Sequence, residues 1–186
     1  MKNISKILIL GSMIFWQVQA NTENNLSYEK LLPQYISWAI TTDQEGLKIG
    51  IPLAEKELLL AEEIGIKFPE KVRVIYVDEV PYPYENKHLK QMGLSLGFIG
   101  DGIVNEAQAF GYSIYVRKDL SFTFSKLAHE LVHVMQIERT GSFSVYSLQY
   151  LTDLAKYGYS KAPLEVEAFK ANTKYVASKL AEQTVK

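Results

Sequence analysis

Two histidines four residues apart constrain this chain more than any other feature of its sequence. They lie in the segment HELVH, residues 129–133. On an α-helix, residues i and i+4 lie one turn apart on the same face, so His129 and His133 can each offer a ring nitrogen to one Zn²⁺ ion. Glu130 then lies beside the metal, where a carboxylate can accept a proton from activated water. The segment therefore predicts a helix that carries a hydrolytic zinc site.

The residues around this motif favour an amphipathic helix. Leu127, Leu131 and Val134 recur at helical spacing and form an apolar stripe that Met135 extends. The two histidines lie off this stripe. The helix therefore has one face for the core and another for a metal, and this interpretation is favoured over incidental histidines on an ordinary helix.

The first twenty residues have the pattern of a secretory signal peptide. Lys2 and Lys6 precede an apolar stretch from Ile7 to Trp16, and Val18-Gln19-Ala20 provides a small-residue cleavage site. This stretch is too short to span a bilayer, and no later segment is apolar enough for a membrane-spanning helix. We predict cleavage after Ala20 and a secreted or periplasmic protein without stable membrane insertion. An N-terminal membrane anchor is the alternative.

Residues 21–186 are predicted to form a single domain. These 166 residues carry 18 basic and 21 acidic side chains, a net charge of −3. Such a mild acidic balance without basic runs offers no electrostatic surface for nucleic acid. The chain contains no cysteine, so no disulfide can hold it together despite the predicted export. Packing, helped by a metal ion, has to stabilise the fold.

The N-terminal half is predicted to contain two helices and one strand. A first helix from Leu26 to about Ile40 is interrupted near Pro33, and Asp43-Gln44-Glu45-Gly46 predicts a loop. A second helix begins near Pro52 and ends at Gly65. The β-branched and aromatic residues from Val72 to Val80 predict a buried strand.

The C-terminal half begins with a long segment, Pro81 to Gly111, that is predicted to be a loop with short elements. Because long loops in compact domains are usually functional, this segment is expected to form a rim over the active site. The elements predicted after it are a strand at Ser113–Arg117, the metal helix from about residues 121–124 to Gly141, and helices over Val145–Tyr157 and Pro163–Ala181.

Two histidines leave zinc under-coordinated, since a catalytic site normally has three protein ligands. His88 is predicted to be exposed in the long loop. Glu138 lies five residues beyond His133 and therefore faces away from the site. Asp153 is possible, but a lone carboxylate on the middle helix is more often at the surface. The better candidates are two carboxylates near the start of the last helix.

These candidates are Glu165 and Glu167. With Pro163 at the first helical position, Glu165 falls in the first turn, where the helix dipole favours a carboxylate without any metal. Glu167 lies deeper, and Ala171 one turn later is small enough for another helix to approach. We prefer Glu167 as the third ligand and keep Glu165 as the alternative.

The segment HELVHVMQ, followed about thirty residues later by the helix Pro-Leu-Glu-Val-Glu-Ala, resembles the gluzincin metallopeptidases, especially small bacterial minigluzincins. The resemblance covers mainly Ser113 to Lys170. It implies zinc ligation by His129, His133 and Glu167, and general-base catalysis by Glu130. It also implies a zincin-like α+β fold with a small twisted sheet, an active-site helix and C-terminal helices. In this fold the edge strand before the metal helix borders the cleft, and Ser113–Arg117 matches its place.

Two departures from the thermolysin-like branch are visible. That branch has Asn before its ligand glutamate and Asp four residues after it, whereas Val166 and Ala171 occupy these positions here. The usual hydrogen-bond partner of a ligand histidine is therefore absent or comes from elsewhere. A transition-state donor is not assigned, and Gln136 shares the helical face of His133. The tyrosines between the ligands are Tyr146, Tyr150, Tyr157 and Tyr159.

Taken together, these features predict an exported zinc metallopeptidase that acts on a peptide or protein substrate. In this hypothesis zinc polarises the carbonyl, Glu130 activates water, and the peptide pairs with an edge strand. A non-catalytic zincin-like binding module is the competing class, but metal binding alone does not need Glu130. An amidase acting on cell-wall peptides is a second alternative.

Overall fold

A computed structural model describes residues 30–176 of the chain. Within this range there are six α-helices and one four-stranded mixed sheet, so the prediction of an α+β protein is confirmed at this level. The predicted signal peptide lies outside the described residues. The elements are α1 (residues 30–49), β1 (Ile51–Pro52), α2 (Glu55–Ile64), β2 (Arg73–Val77), α3 (Lys87–Leu96), β3 (Ala107–Phe110), β4 (Ser113–Arg117), α4 (Phe124–Thr140), α5 (Phe143–Tyr157) and α6 (Pro163–Lys174).

The sheet has the strand order β1-β2-β4-β3. The two central strands, β2 and β4, run parallel, and β3 pairs antiparallel with β4, from Ala107 opposite Val116 to Phe110 opposite Ser113. Strand β3 therefore forms one edge of the sheet. Strand β4, which was expected to be the edge strand at the cleft, is central because the hairpin partner β3 covers its outer side. No helix within residues 30–176 combines the length and the apolar character needed to cross a membrane.

The sheet is buried on both faces, because alternate residues of a strand point to opposite sides. Val74, Ile114 and Val116 pack into an aliphatic core with α2, α4 and α6, whereas Ile75 and Tyr115 pack into a second, more aromatic core. The second core also receives residues from α1, α3 and α5, among them Tyr35, Ala39, Leu89, Met92, Leu151 and Leu154.

Helix α1 differs from the sequence-based expectation, because it continues without interruption to residue 49. Pro33 lies in the first described turn, where a missing N–H is tolerated. The segment expected to be a loop is helical because of tertiary contacts: the carboxylate of Asp43 accepts a hydrogen bond from Ser113 N at 2.9 Å. A Cβ atom on Gly46 would lie 2.7 Å from the Cβ of Ser113, so this glycine allows α1 to approach β4 closely.

The second region of difference lies between residues 51 and 111. Pro52 belongs to the short edge strand β1, and α2 begins at Glu55, although it ends at Gly65 as predicted, with Gly65 at a φ of 100°. Strand β2 stops at Val77 rather than Val80. The expected loop contains one full helix, α3, which begins after Asn86, whose side chain caps it.

The C-terminal elements follow the predictions closely. Strand β4 has the predicted bounds, α4 is capped by Thr123 and closed by Gly141, and α5 ends before Gly158. The last helix begins at Pro163 as expected and ends at Lys174, earlier than the predicted Ala181. Residues beyond 176 lie outside the described range.

Candidate metal centre

Helix α4 places the two histidines of the HELVH segment on the wall of a cleft. Its apolar face enters the aliphatic core through Leu127, Leu131 and Val134, each at most 2% exposed. The histidines lie on a different face, as predicted. Both are nevertheless buried, with His129 at 7% and His133 at 6% exposure. A helix that is buried on all sides can therefore hold these rings in fixed positions.

The Nε2 atoms of His129 and His133 point at each other and lie 3.2 Å apart. The carboxylate of Glu165, on the first turn of α6, completes the group: Oε2 lies 3.4 Å from Nε2 of His129, and Oε1 lies 3.4 Å from Nε2 of His133. Glu165 is only 1% exposed. Its Oε2 atom is buried without a hydrogen-bond partner, which is costly unless a cation satisfies it.

The contact between the two histidines, and the contact of each histidine with a different oxygen of Glu165, have the lengths of ligand–ligand distances in a tetrahedral metal site. Four ligands at about 2.0–2.2 Å from a zinc ion lie roughly 3.3–3.6 Å from one another, close to the 3.2 and 3.4 Å observed here. One nitrogen from each histidine and one carboxylate oxygen leave a fourth position for water or substrate. The buried group His129, His133 and Glu165 could therefore hold a metal ion.

The structure brings Glu165 to the histidines and not Glu167, which differs from the sequence-based preference. Glu167 instead accepts two hydrogen bonds of 2.8 Å from Arg139 and one of 2.9 Å from Nε2 of Gln136. Residues two positions apart on a helix are rotated by about 200° relative to each other, so the two carboxylates cannot face the same site. The first-turn position of Glu165 does not exclude metal binding, because α6 meets α4 with its first turns.

The other carboxylates and the third histidine do not join this group. His88 is exposed on α3, and Asp153 is half-buried on α5. Glu138 faces away from the site, as predicted. Its carboxylate accepts hydrogen bonds from Lys67 N at 2.6 Å and from the hydroxyl of Tyr112 at 2.7 Å. Glu138 therefore connects the C-terminal end of α4 to Lys67 and Tyr112 by hydrogen bonds.

Burial shapes the ionisation of Glu130 and Glu165 in opposite ways. Burial raises the pKa of Glu130, and the nearby histidines and a hydrogen bond from the backbone of Ala109 only partly offset this effect. Burial also acts to raise the pKa of Glu165, but contacts with His129, His133 and the hydroxyl of Tyr150 outweigh it and lower that pKa well below its usual range. Glu165 is therefore held as a carboxylate, whereas Glu130 is placed to exchange a proton.

Two tyrosines of α5 contact the group directly. The hydroxyl of Tyr150 donates a 2.6 Å hydrogen bond to Oε1 of Glu165, and the hydroxyl of Tyr146 lies 3.2 Å from Nδ1 of His133. Burial raises the pKa of both phenols well above the usual value, so both stay protonated. Because Tyr150 occupies Oε1, the free Oε2 is the oxygen best placed to bind a metal. Tyr157 and Tyr159 are 43% and 54% exposed.

A cavity of about 480 Å³ adjoins the three candidate ligands. The edge strand β3 forms one wall, helix α5 forms another, and residues 97–98 and 103–106 lie at its rim, where a rim was predicted. Glu130 lines the same cavity. Its wall is rich in aromatic side chains, including Phe98, Phe143, Tyr146, Tyr150 and Phe169. A cavity of this size and character is typical of a site for a ligand with apolar groups.

Sequence reasoning missed Asn172 as a partner of His129, and it singled out Gln136 only as a neighbour on the face of His133 that could contact a ligand or substrate. Nδ1 of His129 lies 2.9 Å from Oδ1 of Asn172, and Nδ1 of His133 lies 2.9 Å from Oε1 of Gln136. The spacing contained a signal for the first, because Glu165 and Asn172 are seven residues apart and so share one face of α6. The sequence alone is also compatible with Gln136 as a polar residue on the exposed side of the helix, but its side chain is fully buried.

No protein-family profile, no curated protein and no solved structure matches this chain. The site is therefore interpreted from its own geometry.

Proposed function

We propose that this chain is a zinc metallopeptidase with a gluzincin-like ligand set, His129, His133 and Glu165. The observation that carries the proposal is a buried group beside Glu130, in which two imidazole nitrogens lie 3.2 Å apart and each lies 3.4 Å from one oxygen of Glu165. Two imidazoles and one carboxylate are a usual donor set for catalytic zinc. The zincin-like fold belongs to the same proposal. It is supported by the order of an edge hairpin, the metal helix and a later helix with the third ligand.

When bound, zinc acts as a Lewis acid toward water and the peptide carbonyl. The protein supplies the proton transfers. Glu130 accepts a proton from the attacking water and passes it to the nitrogen of the leaving amine as the C–N bond breaks. The raised pKa of Glu130 makes its carboxylate a stronger base toward water.

The cleft supports a peptide as the substrate. Strand β3 is an edge strand, and the backbone of Ala109 reaches Glu130 with a hydrogen bond. An extended peptide that pairs with this edge would therefore lie across the carboxylate that activates water. The aromatic wall of the cavity favours a large apolar side chain next to the scissile bond. We further propose that the protein is exported, as residues 1–20 predict.

The experiment that tests this proposal compares wild type with Glu130→Gln. The amide keeps the shape of the side chain but cannot take the proton, so we expect unchanged zinc content and a rate of peptide hydrolysis lower by about 10²- to 10⁴-fold. Zinc is measured by elemental analysis, and hydrolysis with a quenched fluorescent library that contains aromatic and aliphatic residues at each position.

Glu138→Gln is the matched control, because it changes another glutamate of the same helix whose contacts lie away from the cleft. It should hydrolyse peptides at the wild-type rate. Equal hydrolysis by wild type and Glu130→Gln would contradict the mechanism. A zinc-loaded wild type that cleaves no library member would favour the binding-module alternative, and a wild type that binds no zinc would contradict the whole proposal.

A further inference from the structure

The two candidate histidine ligands share one feature on the side away from the metal site: each Nδ1 atom contacts a carboxamide oxygen. The partner of His133 is Gln136, on the same helix, and the partner of His129 is Asn172, on α6, both at 2.9 Å. An amide can turn either its oxygen or its nitrogen toward a ring. Which atom faces each histidine therefore decides which ring nitrogen carries the proton.

The surroundings of Gln136 fix its orientation. Its Nε2 atom lies 2.9 Å from the carbonyl oxygen of Leu164 and 2.9 Å from Oε2 of Glu167. A carbonyl and a carboxylate only accept hydrogen bonds, so the amide nitrogen has to face them and the amide oxygen has to face His133. Gln136 is fully buried, and no solvent can replace these bonds.

Asn172 is oriented by the same logic. Its Nδ2 atom donates a 3.0 Å hydrogen bond to the carbonyl oxygen of Ser125, which only accepts. The amide oxygen is thereby left for Nδ1 of His129. Both amides consequently present an acceptor to a ring nitrogen, and each Nδ1 has to be the protonated nitrogen of its ring.

The hydroxyl of Tyr146 also lies near Nδ1 of His133, at 3.2 Å. If this hydroxyl donated to an unprotonated Nδ1, the lone pair of that nitrogen would face the oxygen of Gln136 at 2.9 Å, which is repulsive. The arrangement with a protonated Nδ1 avoids this, because the hydroxyl oxygen can accept from the same N–H. Gln136 and not Tyr146 therefore sets the proton position.

Resting on the zinc site of the proposed function, we propose that Gln136 and Asn172 are positioning residues that fix His133 and His129 as Nδ1–H tautomers. Both Nε2 lone pairs, 3.2 Å apart, then face the carboxylate of Glu165, whose Oε2 lies 3.4 Å from His129 and whose Oε1 lies 3.4 Å from His133. Two lone pairs at this distance repel each other unless a cation lies between them. The residues that fix the two histidines are both neutral amides. Gln136 also joins α4 to the first turn of α6, which carries Glu165.

The test replaces each amide by an apolar residue of similar shape, in Gln136→Met and Asn172→Leu. Partners of ligand histidines typically change metal affinity by about 10- to 100-fold, and we expect a loss in this range for each variant. Zinc affinity is measured by competition with a chelator. The visible absorption of the Co²⁺-substituted protein serves as the spectroscopic readout, since a displaced imidazole changes the band intensity.

Two further variants separate positioning from general stability. Asn172→Asp keeps an oxygen for Nδ1–H but loses the hydrogen bond to the carbonyl of Ser125, so it should bind zinc more tightly than Asn172→Leu and less tightly than wild type. Gln108→Met removes a partly buried amide of β3 that bonds Tyr35 and Asn105, without a described contact to either histidine. It should bind zinc as wild type does.

The tautomers are read directly from long-range ¹H–¹⁵N correlation spectra of the zinc-loaded wild type, which need no variant to fold. We expect protonated Nδ1 and coordinated Nε2 in both rings. Coordination through Nδ1 in either ring, or zinc affinities of folded Gln136→Met and Asn172→Leu within about twofold of wild type, would overturn the inference. Wild type without zinc affinity would instead contradict the proposed function.

Discussion

Glu165 and Glu167 are two identical side chains, two residues apart on α6, and they lie in opposite environments. Glu165 is 1% exposed, contacts both histidines and keeps one oxygen without a hydrogen-bond partner. Glu167 lies near the surface and satisfies its carboxylate with Arg139 and Gln136. Glu165 therefore has one oxygen that is free to bind a cation, whereas both oxygens of Glu167 already accept hydrogen bonds.

The comparison shows that helix phase, and not residue type or depth along the helix, decides which glutamate joins the two histidines. Glu165 shares its face with Ala168, which is fully buried and small enough for α4 to approach, and with Asn172, which reaches His129. Glu167 projects about 200° away from Glu165 around the helix and accepts a hydrogen bond from the amide of Gln136. One glutamate is placed where it could bind a metal, and the other contacts a residue that contacts His133.

The largest expected difference between the two glutamates is in zinc affinity. Glu165→Gln removes the only anionic candidate ligand, so we expect a loss of more than about 100-fold, beyond the range for outer partners. Glu167→Gln keeps an acceptor for Gln136 and should stay within about threefold of wild type. Chelator competition measures both. If Glu167→Gln loses more zinc affinity than Glu165→Gln, the assignment of the third ligand has to be reversed.

A smaller effect is expected from the hydroxyl that holds Glu165. Tyr150→Phe removes its 2.6 Å hydrogen bond to Oε1 but keeps the ring. Hydrogen bonds to charged groups contribute about 1.5–3 kcal/mol, and at the lower end of this range zinc affinity should fall by about tenfold. Tyr157→Phe, which changes a more exposed tyrosine of the same helix, is the control and should have no effect. Equal affinities in the two variants would mean that Tyr150 does not hold the ligand.

The smallest effect is expected at the ion pair of Glu167. Arg139 and Glu167 are 51% and 37% exposed in their side chains, and exposed pairs contribute about 0–1 kcal/mol. Arg139→Met should therefore lower the free energy of unfolding by less than about 1 kcal/mol, and less again at high salt. Urea denaturation at two salt concentrations measures this. A loss several times larger would show that the ion pair, through Gln136, supports the whole α4–α6 contact.

The sequence predicted the metal helix, strand β4 and the last two helices well because their signals are local. The spacing of His129 and His133, the apolar stripe through Leu131, and the glycines after α4 and α5 act within a few residues. These signals predicted a candidate metal site and two of the three residues in the buried group. They also predicted that Glu138 faces away.

The features that the sequence did not predict depend on contacts between distant parts of the chain. The segment Asp43–Gly46 has loop composition but is helical, because Asp43 bonds Ser113 and Gly46 lies against it. The choice between Glu165 and Glu167 depends on how α6 is rotated against α4, which no local pattern specifies. The partner of His129 comes from a position seven residues after Glu165, which only the packed helices bring close.

Helix α5 lies between the candidate ligands along the chain, and this has an entropic consequence. A metal held by His133 and Glu165 would close a loop of 32 residue positions that contains Tyr146 and Tyr150. For a covalent cross-link, closing such a loop removes chain entropy equivalent to on the order of 4 kcal/mol from the unfolded state. In a chain without cysteine, the ion would thus act as a reversible cross-link, and its removal would release one wall of the cleft to proteolysis.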